Sequence, residues 1–339
     1  MERFNLLKES DLEALVVQRR NEIKFGEQLH FLTDSHSIYE EIKSLDVSYV
    51  IFGIKEDLGV LAHYGNAGTS RAWDATIKVL LNIQNNAFLK SEKTLILGHF
   101  DFSDYPNKLE KWHDNPKKWI KKARKLICEI DKQVTYLTQL IVSAGKIPIV
   151  VGGGQNNAYG LIKGTALAKK SPINSINFDA HPDFRPEEGR HSGNGFSYAY
   201  AEGFLKNYFV FGLHENYTSD IILRTIKKIK AIKYITFEEL RIRKEIAYKK
   251  AIELAIEHVN NTYFGLEMDC DAIQGIPSNN KTPSGFTILK ARNFIHQIGQ
   301  ESNVAYFHIC EAAPDDNDSQ DVGKLISFLI TDFIKAHGN

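Results

Sequence analysis

Asp179, His181 and Asp183 occupy alternate positions at the end of Ile173-Asn-Ser-Ile-Asn-Phe-Asp-Ala-His-Pro-Asp183, directly after an apolar run. In an extended chain alternate side chains leave on one side, so the stretch offers two carboxylates and an imidazole to one space. Hard divalent cations that tolerate some nitrogen use such a set. A solvated turn after a strand, where Asp and Pro are common, is the other reading. Asp269 and Asp271 repeat the two-residue spacing at the end of a second apolar run. Close carboxylates repel, and one takes up a proton unless a cation lies between them. Taken together, the five groups suffice for two ions. Two ions about 3.5–4 Å apart generate hydroxide near neutral pH and stabilise charge on the attacked group. Separate strand-end aspartates that cap helices are the alternative.

These residues need strands to carry them to a common edge. Runs rich in β-branched and aromatic residues predict strands over 47–54, 94–101, 147–151, 208–214, 232–236, 263–271 and 304–311, besides the one opening at Ile173. Between them lie helical stretches over 71–85, from about 116 to 144, from 158 onward and from 322 to 336. In 116–144 the apolar residues Ile120, Ala123, Ile127, Ile130, Val134, Leu137 and Ile141 recur at helical spacing, and Gly145 stands where a left-handed cap would end the helix. Residues 1–45 read as a helical extension packed on a single domain that spans 1–339. Alternation of strand and helix predicts an α/β fold with a mostly parallel sheet covered on both faces. Ligands of such sheets bind beyond the carboxyl ends of the strands. Gln155-Asn156, Asp179/His181/Asp183, Asp269/Asp271 and Glu311 all fall there.

Composition narrows the function classes. Forty-two basic and 42 acidic residues give a formal net charge of zero without charge blocks, which offers no electrostatic footprint for nucleic acid or an anionic membrane. Cys128, Cys270 and Cys310 form no CxxC pair and too few for a disulfide framework. No apolar run reaches the roughly 18 residues of a membrane helix, and the N-terminus lacks a signal-peptide layout. The expectation is a soluble cytoplasmic protein. The glycines of His63-Tyr-Gly-Asn-Ala-Gly68 do not have phosphate-loop spacing.

The order Gly152-Gly-Gly-Gln-Asn-Asn157, then Asp179-Ala-His-Pro-Asp183, then Met268-Asp-Cys-Asp271, then Glu311 shortly before Pro314 resembles the ureohydrolase family of arginase, agmatinase and formimidoylglutamase. The resemblance runs from Gly65 to Pro314 and is closest in style to formimidoylglutamase. It implies a three-layer α/β/α arginase-like fold, assembly into trimers or hexamers, and a centre of two Mn²⁺ ions. By that pattern Asp179 and Asp269 bridge the ions, Asp183 completes the first shell, and His181 with Asp271 holds the second ion. Glu311 pairs with the planar cation of an amidine or guanidine substrate, and hydroxide held on the metals attacks its carbon. Ser192 and Asn194, in His191-Ser-Gly-Asn-Gly-Phe196, contact the α-amino acid group.

Several positions depart from the pattern. The family's first histidine ligand is replaced by Gln155, so the first ion is expected to be weak or absent. Glu267 stands where a serine is usual; it either adds a ligand or forms a salt bridge beneath the site. Gln274 replaces a further aspartate. Arginase's proton-shuttle histidine falls at Phe196, which argues against efficient arginine hydrolysis. His191 is a catalytic candidate in its place, or an exposed loop residue without a role. Arg185 and Arg190 either meet a second substrate carboxylate, with Arg190 the candidate contact, or pair with Glu187 and Glu188. His214 is a possible pocket-wall residue. His30, His36, His63, His99, His113, His258, His296, His308 and His337 read as structural or surface residues.

The function expected is a metal-dependent, formimidoylglutamase-like hydrolase of linear amidines that converts formimidoylglutamate and water to glutamate and formamide. A non-catalytic or weakly active relative with an incomplete first metal site is one alternative. An agmatinase or guanidino-acid hydrolase is the other.

Overall fold

Among the described residues, nine strands form one sheet in the order β1-β3-β2-β4-β9-β8-β5-β6-β7. Their ranges are β1 (Phe4–Leu6), β2 (Tyr49–Lys55), β3 (Thr94–Asp101), β4 (Ile147–Val151), β5 (Ile173–Phe178), β6 (Leu205–Leu213), β7 (Ile232–Thr236), β8 (Phe264–Asp269) and β9 (Val304–Cys310). The computed structural model describes residues 2–32, 38–89 and 91–338; His36 lies outside them. Only β1 runs antiparallel, against β3. Every other pairing is parallel.

Direction of travel across the sheet decides which face each helix covers, because crossovers between parallel strands are right-handed. From β3 through β4, β5 and β6 to β7 the chain moves one way. Its helices Pro116–Ser143, Asn157–Lys169, Gly195–Ala201 and Asp220–Lys228 pack on one face with Ile127, Val134, Leu161 and Ile226 inward. From β7 to β8 to β9 it moves back. Helices Tyr248–Val259, Ile288–Gly299 and Ser319–His337 cover the other face, through Ile252, Phe294 and Leu329. The result is the three-layer arrangement expected.

Helix Pro116–Ser143 shows why the predicted bounds hold. Pro116 sits in the first turn, where its missing N–H costs nothing, and the Asn115 side chain accepts from Lys118 N at 3.1 Å. Gly145 ends it with φ +78°. Its inward residues are fully buried, and truncating one, as in Ile127→Ala, costs about 2–5 kcal/mol.

The first 45 residues hold a strand besides the helices expected. Their described part contains β1, a helix over Glu9–Leu15, a 3₁₀ turn over Phe25–Gln28 and a helix over Ile38–Ser44. Phe4 packs edge-on against Phe100 of β3, 4.8 Å between ring centres, and three residues of alternating burial are too short a run to announce a strand.

Candidate metal centre

Four adjacent central strands, β4, β9, β8 and β5, end together, and the sequence-predicted metal residues follow them. The local geometry differs from simple strand alternation. β5 stops at Phe178, and Asp179 to Asp183 turn over the strand end, with Asp183 at φ +41°. Asp271 lies in a single helical turn, Cys270–Ala272, capped by Asp269, whose Oδ1 accepts from Asp271 N at 2.6 Å. Glu311 also has a left-handed backbone, φ +61°. For non-glycine residues such conformations cost energy and concentrate at functional sites.

Oxygens of Asp179, Asp183 and Asp269 lie within 4.8 Å of one another. His181 Nδ1 is 3.5 Å from Asp179 Oδ1 and 3.8 Å from Asp271 Oδ2. Hydrogen bonds fix the carboxylates from outside. Asp179 accepts from His181 N at 2.7 Å and Asn177 Nδ2 at 2.9 Å. Asp271 accepts from the backbone and side-chain nitrogens of Asn280, each at 3.0 Å. Burial, then mutual repulsion, pushes Asp183, Asp269 and Glu311 well above the usual carboxylate range. For His181 burial works against the charged form, but Asp179 and its fellow carboxylates raise the imidazole to about 9. Such crowding fits divalent cations, which remove the repulsion.

Gln155 follows β4. Its backbone N–H donates to Glu311 Oε1 at 2.7 Å. One end of its side-chain amide lies 2.9 Å from Asn177 Oδ1, and the other end lies 2.9 Å from Asp179 Oδ2 and 2.7 Å from Asp269 Oδ2. The amide thus lies among the carboxylates. Glu311 Oε2 is buried without a hydrogen-bond partner among the described residues.

These groups open on a cavity of about 200 Å³ lined by His63, Tyr64, His181, Ser192, Asn279 and Asn280, with Asp183, Asp269, Asp271 and Glu311. Ser192 Oγ is 3.4 Å from His63 Nδ1. Burial lowers His63 to about 4, so it is neutral at pH 7. Sequence reasoning treated His63 as structural and passed over Asn279 and Asn280. The only signal was that His63 opens a polar, glycine-rich loop after a strand.

Other predicted residues are placed elsewhere. Arg190 is buried against Asp131 (Nε–Oδ2 2.9 Å) and donates to Asn156 O and Asn194 Oδ1, and it does not line the cavity. Asn194 spends its amide inside the loop, accepting from Arg190 and His191 N and donating to Gly189 O and Pro186 O. His191 is fully buried rather than exposed. It stacks on His63 at 4.5 Å, accepts from Gly193 N and contacts Glu188. Burial and the neighbouring His63 and arginines hold it down to about 2, so it is a neutral support behind His63. Arg185 pairs with Glu188 at 3.7 Å. His214 stands behind the cavity wall, stacked between Tyr217 and Phe237, while Tyr217 stacks on His181. Phe196 is core, 4.3 Å from Tyr208 ring to ring.

Glu267 is no part of the cavity. Its Oε2 meets His308 Nδ1 at 2.6 Å and its Oε1 accepts from Tyr306 at 2.7 Å, one layer below Asp269 between β8 and β9. A hydrogen-bonded pair beneath the site is the arrangement observed, with His308 as the partner of Glu267.

Residues 48–334 match the arginase family, and the chain belongs to that family, hydrolases of C–N bonds in linear amidines. Among curated proteins, formimidoylglutamase of Streptococcus pyogenes serotype M3 is 24% identical over 304 residues, covering 85% of each chain. Among solved structures, a variant of Trypanosoma cruzi formiminoglutamase with Mn²⁺ superposes with a TM-score of 0.73 at 17% identity, covering 93% of this chain and 98% of that one. Formimidoylglutamase of Bacillus subtilis gives 0.71 at 18% identity, covering 95% and 94%. Among the described residues, no helix is long and apolar enough to cross a membrane.

Proposed function

We propose that the chain is a manganese-dependent formimidoylglutamase-like hydrolase, which adds water across the formimino C–N bond of formimidoylglutamate to give glutamate and formamide. The observation that carries this reading is Glu311: one oxygen is held by Gln155 N, and the other is buried beside the carboxylate cluster with no hydrogen-bond partner among the described residues. A planar formiminium group satisfies such an oxygen with a charge-assisted hydrogen bond.

Asp179, His181, Asp183, Asp269 and Asp271 would hold the ions, with Gln155 alongside. A bound pair supplies water made acidic enough to ionise near neutral pH and positive charge for the attacked group. Glu311 orients the formimino carbon toward the cluster. Ser192 Oγ and neutral His63 also line the cavity and are the contacts proposed for the α-amino acid end. Asn280 locks both oxygens of Asp271, and Phe196 leaves no shuttle histidine for the poor leaving groups of guanidines. The named relatives with Mn²⁺ support the choice of ion. Assembly into a homo-oligomer, trimer or hexamer, belongs to the same proposal and is read by light scattering.

Protein purified with Mn²⁺ should release formamide from formimidoylglutamate faster than it releases urea from arginine or agmatine. Preference for a guanidine would move the assignment to an agmatinase or guanidino-acid hydrolase. Inertness toward every amidine tried would favour a non-catalytic relative, the reading that Gln155 motivates.

A further inference from the structure

Three groups at the centre form a closed hydrogen-bonding ring. Asp179 Oδ2 touches the amide of Asn177 at 2.9 Å, Asn177 touches the amide of Gln155 at 2.9 Å, and Gln155 returns to the same Asp179 oxygen at 2.9 Å. A carboxylate only accepts, and each amide has one donating and one accepting end. If both amides donate to Asp179, their oxygens face each other. If they donate to one another in sequence, one amide oxygen must face the carboxylate. Two amides and one ionised carboxylate cannot complete this ring. Buried polar groups left in that state are costly.

The surroundings decide where the mismatch falls. Asn177 Nδ2 is also 3.1 Å from Tyr208 Oη, whose own proton is used on Pro182 O at 3.0 Å. Turning Asn177 over would set its oxygen against Asp179 and strip Pro182 O of its donor. Asn177 is therefore fixed with Oδ1 toward Gln155, which leaves Gln155 two orientations: Nε2 toward Asp179 and Asp269 with Oε1 against Asn177 Oδ1, or Nε2 toward Asn177 with Oε1 toward the two carboxylates. The first gives hydrogen bonds to both carboxylates but opposes two amide oxygens; the second keeps the bond to Asn177 and sets Oε1 at 2.9 and 2.7 Å from Asp179 Oδ2 and Asp269 Oδ2, three oxygens that a cation between them would hold together. All three residues are fully or almost fully buried. Such a set suits a hard cation, for which carbonyl and carboxylate oxygens are the preferred ligands.

We propose that Asn177 is a positioning residue which, held by Asp179 and Tyr208, turns the amide oxygen of Gln155 toward Asp179 and Asp269 and so makes Gln155 a ligand for a divalent cation. The replacement of histidine by Gln155 then keeps the first ion, as an oxygen-ligated ion. This rests on the metal-dependent reading of the site, but not on its substrate.

The test is Mn²⁺ binding, measured without substrate by calorimetry and by the free-ion electron paramagnetic resonance signal. Four proteins are compared: the parent, Asn177→Leu, Gln155→Glu and the double variant. A carboxylate at 155 presents oxygen in either orientation and has no need of Asn177. The parent should bind two ions per chain. Asn177→Leu should weaken one of them by about 10–100-fold, the usual effect of losing an orienting partner, because the freed amide can donate to Asp179 and Asp269. In the Gln155→Glu background the same change should weaken binding at least tenfold less. Asn177→Ala gives the same comparison where leucine prevents folding. Equal losses in both backgrounds, no loss in the parent background, or a single ion in the parent would overturn the proposal. Failure to hydrolyse formimidoylglutamate would leave these binding results unaffected and count only against the substrate.

Discussion

Gln155 N donates to Glu311 Oε1 across 2.7 Å, while Glu311 Oε2 is buried with no partner among the described residues. One oxygen is thus used by the fold and the other is kept for the cavity. Glu311→Gln keeps the size and the contact to Gln155 N through its amide oxygen. It should lower kcat/KM for the amidine substrate by at least about tenfold, since a hydrogen bond to a charged group contributes about 1.5–3 kcal/mol. The melting temperature should not fall, because a buried unpaired carboxylate is itself unfavourable. Loss of stability together with activity would assign Glu311 to the fold alone.

Arg190 supplies a contrasting prediction. It pairs with Asp131 and holds Asn156 O and Asn194 Oδ1 outside the cavity. Arg190→Met leaves Asp131 buried without its cation, and should reduce unfolding free energy by about 3–5 kcal/mol. KM of the folded fraction should change less than threefold. A large rise in KM with stability intact would restore Arg190 as a direct substrate contact.

The Glu267–His308 pair beneath the site should behave similarly. His308→Leu removes the partner of a fully buried carboxylate, with an expected loss of about 3–5 kcal/mol in denaturant unfolding. A loss under 1 kcal/mol would mean that Tyr306 alone satisfies Glu267.

His63 gives a pH dependence with a definite sign. Burial lowers it from 6.5 to about 4, so between those values the unfolded chain binds a proton that the folded chain does not. Stability therefore falls as pH drops through this window, by roughly 3 kcal/mol at its acid end on 1.36 kcal/mol per pKa unit. His63→Leu should flatten the profile of unfolding free energy between pH 6.5 and 4. Parallel profiles for the two proteins would contradict a buried neutral His63.

Most of the sheet was legible because its strands are buried on both faces and read as apolar runs; the predicted ranges 94–101, 147–151 and 232–236 coincide with β3, β4 and β7. β1 was not, since a three-residue edge strand carries no periodicity. The carboxylate cluster was legible from two-residue spacing at strand ends, although loop turns at Asp183 and Asp271, rather than strand pleating, bring the groups together. The loop over 190–196 was legible only in part. Polar residue types at 190 and 194 suggested binding and His191 suggested catalysis, and only tertiary packing shows that their polar atoms are engaged by Asp131, Glu188 and one another while Ser192 faces the cavity. His63 could not be singled out, because it reaches the cavity by stacking on His191 from a loop more than a hundred positions away.

Formamide release measured against Mn²⁺ bound per chain, in one titration of metal-free protein with formimidoylglutamate present, tests whether the carboxylate cluster is a hydrolytic metal centre. Turnover should be absent without metal and should rise as the second ion binds. Full turnover in metal-free protein, or none with two ions bound, would contradict that role.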